Sequence, residues 1–199
     1  MNMGASETLN RLVLEGNGYL ITSQVVESGI SKPTLAAYVQ KNNMERVAHG
    51  VYLAEDAWED TLYQLQLANK RIVFSHETAL YLHGLMEREP KSIYATVRAG
   101  YNATHLRKRG VHVFQVRLDT YELGATDIQT AFGNNVRAYD RDRTICDIIH
   151  QKDHMDVQVF QYAMREYMTS DGKNLYHLME YAKKLKVEDA VRTYTEVML

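Results

Sequence analysis

One stretch decides the fold of the N-terminal region: Thr22-Ser-Gln-Val-Val-Glu-Ser-Gly-Ile-Ser-Lys-Pro-Thr-Leu35. Thr22-Ser23 predicts the cap of a short helix over residues 24–27, and Ser28-Gly29 ends it because glycine accepts the positive φ of a tight turn. Ser31 is a favourable N-cap and Pro33 is tolerated in a first helical turn. The stretch therefore predicts two helices joined by a short turn, the second running to about Asn42.

The flanking segments extend this pattern. An apolar spacing predicts a first helix over residues 6–15, capped by Ser6 and ended by Gly16 and Gly18. Tyr19-Leu20-Ile21 forms a short apolar run. The pair His49-Gly50 lies between two short apolar stretches and predicts a two-residue hairpin turn. Three short helices followed by a hairpin are the order of a winged helix-turn-helix, which we assign to residues 1–56.

Residues 57–199 predict a mixed α/β domain with a helical C-terminal end, so the fold class is α+β. A helical pattern over residues 56–69, which includes Trp58 and Leu62, predicts a connecting helix within residues 57–71. The further elements expected are strands over 72–74, 92–97 and 111–117, a helix capped by Ser75 that ends at His83-Gly84, a helix over 103–108, a hairpin over 127–139, and helices over 144–151, 157–168, 175–185 and 188–197.

Composition narrows the class of protein. The chain has 199 residues, a net charge of −2 and a single cysteine, Cys146, which excludes an internal disulfide and a thiolate zinc site and suits a reducing compartment. The sequence contains neither an apolar run long enough to span a membrane nor a secretory signal at Met1–Glu7. We expect a cytoplasmic, soluble protein without a membrane partner.

The charge is unevenly distributed along the chain. Residues 1–56 carry four basic and six acidic side chains, residues 57–117 carry nine and five, and residues 118–199 carry ten and fourteen. Binding to nucleic acid depends on the local field rather than the total charge. The basic middle of the chain, where residues 98–118 contain five cations and no acid, is therefore a candidate phosphate-binding region.

Candidate DNA contacts follow from these two features. In a helix-turn-helix the start of the second helix meets base edges, and a hairpin tip suits phosphate or the minor groove. A protein-binding winged helix-turn-helix and a merely solvated basic helix end are the alternatives. The predicted DNA-binding residues are Ser31, Lys32, Thr34 and Lys41 on the helix, Arg46 and His49 on the wing, and Lys70, Arg71, Lys91, Arg98, Arg107, Lys108 and Arg109 in the basic region.

Other chemistry has little support. His150 and His154 have metal-ligand spacing but fall near a predicted helix end, and His76 and His83 lack a third ligand. Asp140-Arg-Asp142 resembles the carboxylate pair of nucleotidyl transfer, but the Gly-Ser turn such sites need is missing, and a helix cap explains Asp142 better. We expect no metal, no cofactor and no enzymatic activity.

Two segments carry a family resemblance. Thr22–Leu35 followed by Met44-Glu-Arg-Val-Ala-His-Gly-Val-Tyr52 resembles the N-terminal domain of AbiEi antitoxins. Ser75-His-Glu-Thr-Ala-Leu-Tyr-Leu-His-Gly-Leu85 resembles the start of their C-terminal domain, and the likeness continues through Asp140-Arg-Asp-Arg-Thr-Ile-Cys-Asp147. The order and spacing of these segments carry the resemblance, which spans nearly the whole chain.

The resemblance implies a type IV toxin–antitoxin system that acts in abortive phage infection. Such an antitoxin represses its own operon by binding promoter inverted repeats and counteracts a nucleotidyltransferase-like toxin, with a positive surface across both domains. Direct contact with that toxin is left open. The alternatives are a protein-interaction module and a ligand-responsive transcriptional regulator unrelated to toxin control.

Overall fold

The computed structural model describes residues 4–198 and the side chains of residues 4–196. The chain is a mixed α+β protein with a helical C-terminal end. It divides into two compact units, Met1–Lys70 with Gln129–Val136, and Arg71–Ile128 with Arg137–Leu199. The predicted boundary after residue 56 differs from this division, because the segment 57–70 and a distant hairpin tip pack with the N-terminal residues. The predicted absence of a secretory signal concerns Met1–Glu7, of which the first three residues lie outside the described residues.

The N-terminal unit combines short helices with one small sheet. Its strands pair antiparallel in the order β1-β3-β2. The elements are helix α1 (Ala5–Glu15), strand β1 (Tyr19–Ile21), helices α2 (Thr22–Glu27) and α3 (Lys32–Lys41), strands β2 (Glu45–Ala48) and β3 (Val51–Leu53), and helix α4 (Thr61–Ala68). Leu9, Leu20, Val25, Ile30 and Leu35 form the core between the helices and the sheet. Burial of such side chains contributes about 1.5–3 kcal/mol each.

The C-terminal unit begins with a mixed sheet in the order β6-β5-β4-β8-β7 and ends in packed helices. Its elements are β4 (Val73–Phe74), α5 (His76–Leu82), β5 (Tyr94–Arg98), α6 (Thr104–Lys108), β6 (His112–Val116), α7 (Leu118–Tyr121), β7 (Ala125–Gln129), β8 (Asn135–Tyr139), α8 (Arg141–His150), a 3₁₀ turn (Lys152–His154), α9 (Val157–Thr169), α10 (Leu175–Leu185) and α11 (Glu188–Met198). The tip of the β7–β8 hairpin is the segment grouped with the N-terminal unit.

A buried apolar cluster joins helix α5 to the helices from α8 onward. Leu80 of α5, Ile145 and Ile149 of α8, Tyr167 of α9 and Leu178 of α10 are all buried in one cluster. Side-chain caps start three of these helices: Asp140 accepts from the Arg143 N–H, Asp156 from the Gln158 N–H and Asn174 from the His177 N–H. Each such cap stabilises a helix start by about 1 kcal/mol.

Several predicted helix starts are wrong. Ser6 lies inside α1, whose N-cap is Gly4, and Thr22 is the first residue of α2 after Ile21. Ser75 occupies the N-cap position of α5, but its hydroxyl accepts from Thr96 Oγ1 at 2.9 Å instead of from a helix N–H. The cap of α8 is Asp140, whereas Asp142 is buried and accepts from the Tyr167 hydroxyl at 2.6 Å. Competing side-chain partners decide the cases of Ser75 and Asp142.

The predicted connecting helix starts later than expected. Asp60 caps α4 by accepting from the Tyr63 N–H at 3.0 Å, so residues before it form turns. Trp58 therefore lies outside the helix and its side chain is 79% exposed, although the sequence pattern placed it on the helix's apolar face. The short helix α7 was not predicted.

Candidate nucleic-acid interface

The turn between α2 and α3 is tightly built. Gly29 has φ +79°, a left-handed conformation that favours glycine, and its N–H donates to the Val26 carbonyl at 2.9 Å. The Ile30 N–H donates to the Val25 carbonyl at 3.2 Å, and the Ile30 side chain is buried. Gly29 thus forms the tight turn that the sequence predicted, and the buried Ile30 fixes the start of α3 against α2.

The start of α3 presents polar side chains to solvent. Ser31 Oγ accepts from the Thr34 N–H at 3.3 Å and lies 2.8 Å from Thr34 Oγ1. Both residues are exposed, as are Lys32 and Lys41, whereas Leu35 on the opposite face is buried. The two hydroxyls are therefore partly used by the cap, and Lys32 supplies the extendable donor of this helix start.

The hairpin that follows α3 brings its two predicted contact residues together. Arg46 Nη2 lies 3.1 Å from His49 Nδ1, and Arg46 Nε donates to the Ala48 carbonyl at 3.4 Å. Gly50 takes φ +71° in the turn, and its carbonyl accepts from the Thr22 N–H at 2.8 Å. That bond ties the hairpin tip to the first residue of α2, so the exposed Arg46 and His49 are held at a fixed place in this unit.

The basic residues of the C-terminal unit form two groups. Strands β5 and β6 are parallel with Arg98 opposite Val116, and β4 is antiparallel to β5 with Val73 opposite Thr96. Arg71 and Arg98, together with Arg117, therefore lie at one end of these strands. Arg117 pairs with Asp119 at 3.0 Å. Lys70, which is also exposed, is the last residue of the N-terminal unit's main segment.

The second basic group lies at the opposite end of the same strands. Lys91 precedes β5, and Arg107, Lys108 and Arg109 end α6 just before β6. All four are exposed. Because a strand rises by about 3.3 Å per residue, about 13 Å separate the two ends. The single basic surface expected from the sequence is thus divided by the length of β5 and β6.

The histidines have structural partners. His76 is buried, stacks on Phe114 with ring centroids 3.7 Å apart, and has a pKa lowered to about 4 by burial, so it is neutral at pH 7. His83 Nε2 lies 2.7 Å from the Tyr139 carbonyl oxygen. His150 ends α8 and His154 lies in the following 3₁₀ turn, so one helix does not carry both. Among residues 4–198 no group of three potential metal ligands is found.

The carboxylates at the start of α8 are engaged in packing. Asp140 accepts from the Tyr181 hydroxyl at 3.0 Å besides capping the helix, and burial raises its pKa.

Cys146 is buried, and burial raises the pKa of its thiol, which disfavours the reactive thiolate.

Two polar centres were missed by sequence reasoning. Asp60 is 1% exposed and accepts from Thr130 Oγ1 at 2.5 Å and Asn134 Nδ2 at 2.8 Å. Arg143 is also 1% exposed and donates to Asp147, Thr120 and Leu123. The most distant partner of Asp60 is 74 positions away in the sequence, and that of Arg143 is 23 positions away. Local sequence patterns therefore carried no signal for either residue.

No family model matches the chain, and no curated protein matches it. A distant structural likeness is to the crystal structure of the Rv2827c protein from Mycobacterium tuberculosis, at 12% sequence identity and a TM-score of 0.48. It covers 94% of this chain and 76% of that one. In the part of the chain that is described, no helix combines the length and apolarity needed to cross a bilayer.

Proposed function

We propose that the chain is a cytoplasmic DNA-binding antitoxin of the AbiEi kind, which represses its own operon at promoter inverted repeats and counteracts a nucleotidyltransferase-like toxin. Its N-terminal unit is, in this proposal, a winged helix-turn-helix. The order helix, strand, helix, helix and hairpin supports it, as does a three-stranded sheet in which β3 lies between β1 and β2. The observation that carries it is the exposed polar start of α3, together with Arg46 and His49, which are exposed on a hairpin tied to α2.

The division of labour follows from these positions. Ser31, Lys32, Thr34 and Lys41 on α3 read base edges, since such a helix enters the major groove by its N-terminal part. Arg46 and His49 on the hairpin contact phosphate or the minor groove. Lys70 and the two basic groups of the C-terminal unit supply further phosphate contacts. Each contact steepens the fall of log K with log salt concentration by about one unit of slope.

Most cations of the N-terminal unit lie on α3 and the hairpin. This unit carries five basic and eight acidic residues, but three of the five cations, Lys32, Lys41 and Arg46, lie on α3 and the hairpin. The acidic total favours a second candidate function, in which the unit contacts only protein. A DNA-binding measurement separates the two candidates.

Replacement of Lys32 by alanine tests the proposed reading helix. A lysine that contacts a base edge contributes about 1–3 kcal/mol, so affinity for the operator should fall by about 5- to 150-fold, and affinity for random DNA should fall less. Fluorescence anisotropy with both DNAs at one salt concentration measures the difference. Lys183→Ala, at an exposed position of α10 outside the proposed contact set, serves as the control. Equal losses on operator and random DNA would show that Lys32 contacts only phosphate.

A further inference from the structure

The N-terminal unit exposes a contiguous apolar groove. Leu14 and Trp58 are each 79% exposed and Phe132 is 46% exposed, and all three line one cavity of about 710 Å³. Exposed apolar side chains that occur singly need no explanation, but a contiguous group around a concavity is typical of an interaction site. Trp is moreover the side chain most enriched where proteins bind one another.

The floor of this groove is fixed by backbone contacts. Gly18 takes φ +89°, its N–H donates to the Val13 carbonyl at 2.8 Å, and its carbonyl accepts from the Ala54 N–H at 2.9 Å. A Cβ at Gly18 would lie 2.2 Å from the Cβ of Ala57, so any side chain at position 18 would clash with Ala57. Asn17 Nδ2 donates to Asn134 Oδ1 at 3.2 Å on the other side. A groove built this way is formed before any ligand binds.

The rim of the groove is acidic. A second cavity of about 390 Å³ shares Val13, Ala54 and Asp56 with the first and is also lined by Glu55. Among the described residues that line the two cavities there is no Lys, Arg or His. Glu55 and Asp56 are exposed, and Glu59 follows Trp58 directly. Carboxylates around an exposed indole favour a cationic ligand, because the ring face also attracts cations.

We propose that this groove binds a basic amphipathic segment of a partner protein. Apolar side chains of the segment contact Leu14, Trp58 and Phe132, while its Lys or Arg side chains face Glu55 and Asp56. A second copy of this chain docked through the same patch would bring like-charged carboxylates together, which costs binding energy. DNA phosphates are repelled for the same reason. None of the proposed DNA-contact residues lines the groove, so the inference does not depend on DNA binding.

Trp58 is the only tryptophan of the chain, so its fluorescence emission reports directly on binding in the groove. The experiment titrates the full chain with an amphipathic Leu/Lys peptide of about 18 residues, long enough to form a helix, and follows tryptophan emission. A Leu/Glu peptide of the same apolar pattern is the charge control. We expect a saturable blue shift with the Leu/Lys peptide only, because Trp58 leaves water on binding.

Variants locate the binding. Leu14→Gln keeps a helix-forming side chain but removes the apolar contact, and it should weaken Leu/Lys binding by about tenfold. Glu55→Gln with Asp56→Asn should weaken it and reduce its salt dependence. Val157→Gln, at a 63% exposed position of α9, should bind as the unaltered chain does. Far-UV circular dichroism confirms that each variant is folded.

Three results would overturn the proposal. The first is no emission shift at millimolar Leu/Lys peptide. The second is an equal response to the Leu/Glu peptide, or equal losses in Leu14→Gln and Val157→Gln, which would mean nonspecific binding. The third is a blue shift that rises with the concentration of the chain alone and is abolished by Leu14→Gln, which would assign the groove to a second copy.

Discussion

Replacement of Arg143 by alanine is expected to lower the free energy of unfolding by about 3–5 kcal/mol, the range for breaking a buried ion pair. The guanidinium donates to Asp147 Oδ1 at 2.9 Å, to the Thr120 carbonyl at 2.6 Å and to the Leu123 carbonyl at 2.9 Å. It also lies 4.1 Å from the ring centroid of Tyr139. Alanine would leave a carboxylate that is 12% exposed and two carbonyls without these partners.

The charge state of Arg143 does not alter this expectation. Burial lowers the pKa of the guanidinium, but the Asp147 carboxylate and the phenol group of Tyr139 more than reverse that effect, so the pKa lies above its ordinary value. The guanidinium is therefore charged at pH 7. Arg143→Lys keeps the charge but not the planar set of donors, and an intermediate loss is expected.

Urea unfolding followed by far-UV circular dichroism measures the effect, since the helices of the C-terminal unit dominate that signal. Arg165→Ala is the matched control, because Arg165 has a side chain that is 63% exposed and pairs with Glu166 at 3.5 Å on the surface of α9. Exposed pairs contribute about 0–1 kcal/mol. A loss for Arg143→Ala no larger than that of the control would contradict the role assigned to Arg143.

Replacement of Asp60 by alanine is expected to lower the free energy of unfolding of the N-terminal unit by about 2–4 kcal/mol. The substitution removes the cap of α4 and leaves the Thr130 hydroxyl and the Asn134 amide without their carboxylate acceptor. The backbone N–H of Asp60 keeps its bond to the Tyr19 hydroxyl at 2.8 Å. The loss therefore falls on α4 and on the hairpin tip.

Two measurements check the Asp60 prediction. Urea-dependent hydrogen exchange of the α4 amides reports on the stability of the N-terminal unit, and Glu7→Ala, at an exposed acidic position of α1, is the control. Hydrogen exchange should show weaker protection of the amides of Thr130 and Asn134 in the variant. Unchanged protection at the hairpin tip would show that Asp60 acts on α4 alone.

The parts of the fold that the sequence predicted are those that depend on neighbouring residues. Ser31 caps α3, Pro33 lies in its first turn and Gly50 allows the hairpin, because each acts within a few positions. The parts that it missed depend on distant partners. The Ser75 hydroxyl accepts from Thr96 instead of capping α5, and Asp60 accepts from Thr130, which lies 70 positions later in a hairpin tip.

The candidate interface divides in the same way. The exposed positions of Lys32 and Lys41 follow from helical periodicity, since Leu35 fixes which face is buried. The separation of Arg98 from the cluster of residues 107–109 follows from the parallel register of β5 and β6, which a run of basic residues in the sequence does not reveal. Trp58 is exposed because α4 begins only after Asp60. The apolar spacing of the sequence had placed Trp58 on the buried face of a longer helix.

Gel retardation tests most directly whether the N-terminal unit binds a specific DNA site. The full chain is mixed at low salt with labelled DNA from immediately upstream of its own coding sequence. We predict a retarded band that the unlabelled upstream DNA displaces and that an equal mass of random DNA displaces poorly, with affinity falling as salt rises. An absence of any retarded band at low salt would contradict DNA binding and leave the N-terminal unit as a protein-binding module.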